Sequence, residues 1–181
     1  MIKKDDNELV FEVTKGSISS FEVLVDRYQK TIFNIVLRMV GDAEVARDLT
    51  QDIFVKAFEK LGGFNFKYRF FSWLYRIAIN ETINWLKTKQ PVESLGSEET
   101  LAAEETSWPS RDLQSKRLHV GLRLLPAEYR MLLLLKYYCG LSYEEIAETT
   151  EIPVKKVKSR LFSARALLYT ILTERGFFDN D

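Results

Sequence analysis

LSYEEIAETTEIPVKKVKSRLFSARALL, residues 141–168, reads as two short helices around a tight turn, the second carrying exposed cations. Ser142 followed three residues later by Glu145 forms a capping box that starts the first helix, and Ile146 and Ala147 supply its buried side. Pro153 suits the first turn of the second helix. There Val154, Val157, Leu161, Ala164 and Leu168 recur at spacings of three and four, leaving Lys155, Lys156, Lys158, Ser159, Phe162 and Ser163 on other faces. This is the form of a helix-turn-helix. A DNA major groove admits such a helix, with phosphates for its cations and base edges for its tip.

Helical patterning continues outward in both directions. Helices are predicted near 111–124, 126–138, 142–149 and 153–175, with Pro126 again at a helix start. Toward the N-terminus, Gly16, Gly41 and the Gly62-Gly63 pair break long amphipathic runs, with Ser19 or Ser20 and Asp42 placed as N-caps after the first two. Helices near 7–15, 20–40, 43–61 and 70–89 follow, and Asp5 and Asp6 are the caps of the first. Between these groups lies PVESLGSEETLAAEETSWPS, residues 91–110, bounded by prolines, rich in Ser, Thr and Glu, and weakly periodic, as a linker is. No strand alternation and no internal repeat is found. The expected architecture is all-α: two small helical domains, 1–90 and 111–181, joined by a flexible acidic linker at 91–110.

The chain has 181 residues and a formal net charge of zero, which at first argues against a nucleic-acid binder. The average conceals segregation: residues 91–110 hold 5 Glu and no Lys or Arg, whereas 151–175 hold 6 Lys or Arg against 2 Glu. A basic helix is thus embedded in a chain that carries its own acidic counterweight. The single cysteine, Cys139, excludes an internal disulfide and fits a small core or helix-end residue in a reducing setting. MIKKDDNELVFEV has charges where a signal peptide needs an apolar run, and no stretch approaches a membrane span, so a cytoplasmic protein without membrane insertion is expected. His119 is the only histidine, no Cys/His/Asp metal spacing occurs, and no Gly-rich loop follows a strand. No catalytic set, metal or cofactor is expected, and the chain is not read as an enzyme.

Two further segments carry chemistry. In DAEVARDLTQDIFVKAFEKL, residues 42–61, Val45, Leu49, Ile53 and Ala57 form a buried stripe, while Asp48, Gln51 and Asp52 share an adjoining face that a partner could read. A solvated polar face would show the same spacing. Phe54 and Phe58 would widen that surface where exposed and otherwise join the core. In FNFKYRFFSWLYRIAINETINWLKTK, residues 64–89, aromatic rings are interleaved with Lys67, Arg69, Arg76, Lys87 and Lys89, the combination on which single-stranded bases stack while the backbone is neutralised. Part of this stripe must be core. The loop from Asn65 to Phe70 is the better candidate, because Phe66, Tyr68 and Phe70 in so short a polar connection are hard to bury together.

In this order the segments resemble the small two-domain sigma factors of bacterial RNA polymerase, the extracytoplasmic-function group of the sigma-70 family. DAEVARDLTQDIFVKAF is similar to the polymerase-binding helix, FFSWLYRIAIN to the minus-10 recognition helix and LSYEEIAETTEIPVKKVKSRLFSAR to the minus-35 unit. The resemblance implies a subunit that binds core RNA polymerase and recognises minus-10 and minus-35 promoter DNA. It implies that Asp48, Gln51, Asp52 and Phe54 dock on the clamp helices of the beta-prime subunit. Asn65, Phe66, Lys67, Tyr68, Phe70, Arg76, Asn80 and Lys87 fall in the minus-10 region, where Asn80 reads a base and the 65–70 loop receives a flipped-out one. Lys158, Ser159, Phe162 and Ser163 match minus-35 base-reading positions, while Lys155, Lys156, Arg160 and Arg165 suit phosphate or packing roles. The helix-turn-helix domain is implied to meet the beta flap as well, and an anti-sigma partner is a further implication.

Departures from the family pattern matter. Lys155-Lys156 stands where Gly-Thr is frequent, and Ser163 where Arg is frequent; a serine lacks the bidentate contact to guanine. The main alternative is a stand-alone helix-turn-helix regulator, which leaves the aromatic loop and the Asp48 face unexplained; a second is a helical adaptor with no DNA role, which predicts DNA affinity without a steep salt dependence. Near-neutral charge further predicts that the two domains pack together off polymerase and hide the basic helix.

Overall fold

The computed structural model describes residues 4–89 and 113–177, and every described element is helical. The expected linker at 91–110 lies outside the described residues. The first unit contains α1 (Asp6–Thr14), α2 (Ile18–Val40), α3 (Ala43–Lys60) and α4 (Phe70–Lys89), with a short 3-10 turn at Leu61–Gly63. The second contains α5 (Leu113–Leu124), α6 (Ala127–Leu133), α7 (Tyr143–Thr150) and α8 (Val154–Glu174).

Local chemistry sets the boundaries. Asp5 starts α1 through a capping box with Glu8, Asp42 accepts from the amides of Glu44 and Val45 at the start of α3, and Ser142 caps α7 with Glu145 as its reciprocal partner. The start of α2 departs from expectation: Ser17, rather than Ser19 or Ser20, accepts the amide of Ser20. Its neighbours are already helical, so only Ser17 has the extended backbone that lets a side chain reach forward. The helix ends on Gly41 at φ 84°, a left-handed backbone that favours glycine, with the Arg123 guanidinium lying against it, 2.9 Å from where a Cβ would stand. After α6 the chain widens into a π-helical turn over Leu134–Tyr138, which ends the 126–138 helix with Leu134 and Leu135 still buried.

One apolar cluster runs through both units. It joins Leu24, Ile32, Val36, Ile53 and Leu74 of the first to Leu132, Leu135, Ile146 and Leu161 of the second. α7 packs on α4, while α5 and α6 pack on α2. At this junction Arg130 is 6% exposed, and its guanidinium donates to the carbonyls of Leu122, Arg123, Leu125 and, across the boundary, Met39. Burial pulls its pKa down to about 10, with Arg123 adding to the effect, so it remains charged at neutral pH. Arg38 of α2 lies over the Tyr138 ring at 3.9 Å, a second tie between the units.

Candidate nucleic-acid and protein interfaces

Three surfaces follow from this framework. On α3, Leu49, Ile53 and Ala57 face the core, and the helical period therefore turns Asp48, Gln51 and Asp52 outward, all exposed. Phe54 does not join them. It is 7% exposed, because its position falls on the side of α3 that meets α2, and it lies along a groove with Phe21, Val25, Phe33 and Phe58. Phe58 lies at the exposed rim, edge-on to Phe21 with centroids 4.9 Å apart. The carboxylate face and this apolar groove adjoin, since Gln51 belongs to both.

The second surface is the loop before α4. The Asn65 side chain accepts the Lys67 amide at 3.0 Å and its carbonyl accepts the Tyr68 amide at 3.0 Å, folding the loop into a local turn. Asn65, Phe66, Lys67 and Tyr68 are all exposed, with Phe66 packed edge-on to Phe64. Phe70 must be removed from this group. It is 1% exposed and packs among Tyr28, Phe64 and Trp73, because the first residue of α4 already points into the core. Its burial anchors the loop while Phe66 and Tyr68 remain available. Along α4, Asn80 and Lys87 are exposed. Arg76 is half-buried and engaged: it donates to the Glu148 carbonyl at 2.6 Å and the Thr149 carbonyl at 3.3 Å, and it meets the Glu151 carboxylate at 2.7 Å.

The third surface is α8. Val157, Leu161 and Ala164 are buried, and Lys155, Lys156, Lys158, Ser159, Phe162, Ser163 and Arg165 are exposed. Phe162, at 69% exposure, is a large apolar side chain standing in solvent amid cations. Arg160 is the exception, half-buried with its guanidinium 3.7 Å from Glu128, which suits packing. Lys158 sits 5.3 Å over the Tyr143 ring, and Arg165 donates to the Tyr137 hydroxyl at 2.9 Å. The two units do pack together, but the expectation that packing hides the basic helix is not met, because α7 rather than α8 meets the first unit.

Sequence reading did not foresee the engagement of Arg69. Its guanidinium pairs with Glu145 and its backbone amide donates to the Glu148 carboxylate at 3.2 Å. Three glutamates spaced by three along 145–151 were the signal for it. His119 is a packed helical residue with Nδ1 against the Ser115 carbonyl, and burial pulls its pKa down. Among the described residues no group of three or more His, Cys, Asp or Glu could hold a metal ion, and no helix is long and apolar enough to cross a membrane.

Comparison with known proteins identifies the family of the chain. Residues 24–92 match the model of sigma-70 region 2, and residues 115–168 match that of sigma-70 region 4. The chain is 35% identical to the RNA polymerase sigma-H factor of Pseudomonas aeruginosa, over 91% of this chain and 92% of that one. It is 36% identical to the ECF RNA polymerase sigma-E factor of Escherichia coli, over 88% and 90%. Among solved structures, CnrH in complex with the cytosolic domain of CnrY is similar with a TM-score of 0.73 and 25% identity, covering 93% of this chain and 97% of CnrH. The fold is also that of the sigma factor RpoE, solved with the anti-sigma factor NepR from Bartonella quintana, at a TM-score of 0.67 and 22% identity.

Proposed function

The chain belongs to the sigma-70 family of RNA polymerase sigma factors, in the extracytoplasmic-function group, and from that membership we propose how its surfaces divide the work of promoter-specific initiation. The observation that carries the reading is the presence of region 2 and region 4 in one chain, with a carboxylate face, an aromatic loop and a cationic helix all exposed.

Asp48, Gln51 and Asp52, continued by the Phe58 rim of the α2–α3 groove, dock on the clamp helices of the beta-prime subunit. Exposed carboxylates steer the encounter, and the apolar groove beside them supplies area that loses water on docking. Phe66 and Tyr68 then stack on bases of the melted minus-10 strand, with Asn80 reading an edge and Lys67, Arg76 and Lys87 neutralising phosphates. α8 enters the major groove at minus-35, with Lys158, Ser159, Phe162 and Ser163 toward base edges and Lys155, Lys156 and Arg165 toward phosphates, while its domain also meets the beta flap. The acidic 91–110 segment joins the two domains, and an anti-sigma partner holds the chain when it is not in use. The protein works in the cytoplasm with polymerase and carries out no covalent chemistry of its own. A stand-alone helix-turn-helix regulator would leave the region 2 match without a purpose.

Run-off transcription with purified core polymerase on a genomic fragment library tests the reading, comparing wild type with Asp52→Arg. Discrete starts from wild type, reduced about tenfold or more in the variant, are expected, equivalent to about 1.4 kcal/mol of lost docking. Absence of any initiation and of co-elution with core would sink it.

A further inference from the structure

Resting on the reading of the 65–70 loop as the place where the melted strand is captured, we infer that Asp6 and Tyr28 are positioning residues for that capture: through Phe70 and Phe64 they fix where the exposed Phe66 ring stands. Asp6 lies on α1, outside the segment that matches sigma-70 region 2. It is the first residue of the helix, yet it does not cap it, since Asp5 and Glu8 already form the capping box. Its carboxylate serves α2 instead, one oxygen accepting from the Arg27 guanidinium and the other from the Tyr28 hydroxyl. Arg27 also donates to the Lys4 carbonyl at 2.9 Å, so the start of α1 is tied to α2 at three points.

The Tyr28 ring carries the connection toward the loop. It packs on Phe70 with centroids 5.7 Å apart, Phe70 meets Phe64 at 6.0 Å, and Phe64 holds Phe66 edge-on at 5.2 Å. Phe70 and Phe64 are buried whereas Phe66 is exposed, so the row runs from a hydrogen bond on α1 to a ring in solvent. α1 also packs on the 3-10 turn and on α4, the two elements between which the loop is strung. Burial, with the Asp6 carboxylate adding to it, pushes the Tyr28 pKa up, and the hydroxyl therefore keeps its proton and donates. Close-packed rings have no free space in which to absorb a shift. A Tyr28 ring released from Asp6 therefore displaces Phe70 and Phe64, and with them the ring on which a base stacks. Stacking offsets part of the cost of taking a base out of the duplex, so a displaced Phe66 matters most where melting is still to be done.

Run-off transcription with purified core polymerase measures this on two templates: a promoter located by the wild-type starts, and the same promoter with mismatches that hold its minus-10 segment open. Asp6→Ala, which leaves the Asp5–Glu8 capping box intact, and the milder Tyr28→Phe are each expected to lower initiation on the duplex about fivefold. On the open template both are expected to come within about twofold of wild type, with co-elution with core unchanged. Adding Asp6→Ala to Phe66→Ala is expected to cause no loss beyond that of Phe66→Ala alone, because the carboxylate acts through that ring. Equal losses on both templates would report a general destabilisation and overturn the inference. Full duplex initiation by Asp6→Ala and Tyr28→Phe, with Phe66→Ala impaired, would overturn it while leaving the loop assignment standing. Unimpaired initiation by Phe66→Ala would instead overturn the loop assignment, and the inference falls with it.

Discussion

Single residues in this protein are assigned by which side of a helix they occupy, and one turn separates a core residue from a contact residue. Phe54 and Phe58 are both on α3, yet the first is 7% and the second 47% exposed. Phe70 and Tyr68 differ by two positions and by the same contrast, 1% against 49%. Cys139, half-buried after the π-helical turn, shows what even partial burial does to chemistry: it pushes the thiol pKa up to about 12. Because the thiolate is the reactive form, Cys139 is expected to resist iodoacetamide at pH 8 in the native protein and to label fully in denaturant. Rapid native labelling, read by mass spectrometry, would contradict the packing described. Folding raises this pKa, so the stability it lends is complete below about 9 and is lost as pH climbs toward 12.

At the scale of elements, α8 is a helix with two jobs on opposite sides. Val157, Leu161 and Ala164 hold it against α6 and α7, and the lysines opposite remain free to meet phosphates. Gly121 of α5 permits the same helix to come close, since a Cβ there would lie 2.5 Å from Leu172. Neutralising one phosphate releases about one counterion, so Lys155→Ala is expected to lower the slope of log affinity against log salt for duplex DNA by about 0.9. Binding should weaken alike on every sequence tested, because a phosphate contact carries no base information. An unchanged slope across a salt series would remove Lys155 from the interface.

For the whole molecule, the decisive contacts run between units. Arg130 donates to three carbonyls of its own unit and to Met39 of the other, and removing it would leave buried carbonyls without donors. Arg130→Met is expected to cost about 3 kcal/mol and to lower the melting temperature by several degrees. A shift no larger than that of an exposed substitution such as Glu174→Gln, measured by calorimetry, would show that water replaces the guanidinium.

The helices, the caps at Asp5, Asp42 and Ser142 and the all-helical class were legible along the chain, because periodicity and capping are interactions within three or four residues; the cap of α2 at Ser17 was not, since three serines stand within reach of that start. The capping box at Ser142 and Glu145 needed nothing else. The outward face of α3 followed from the same period, as did the cationic side of α8. The burial of Phe54 and Phe70 did not, because an aromatic at a helix edge belongs to the core or to the surface according to which neighbouring helix reaches it, here α2 in one case and Phe64 with Trp73 in the other. Nor did the pairing of Arg69 and Arg76 with α7, some seventy-five residues away in sequence. Local order was set by the amino-acid sequence itself; which exposed charges face water and which face one another was decided only when the two units met, since charge pairing across such a separation has no pattern along the chain.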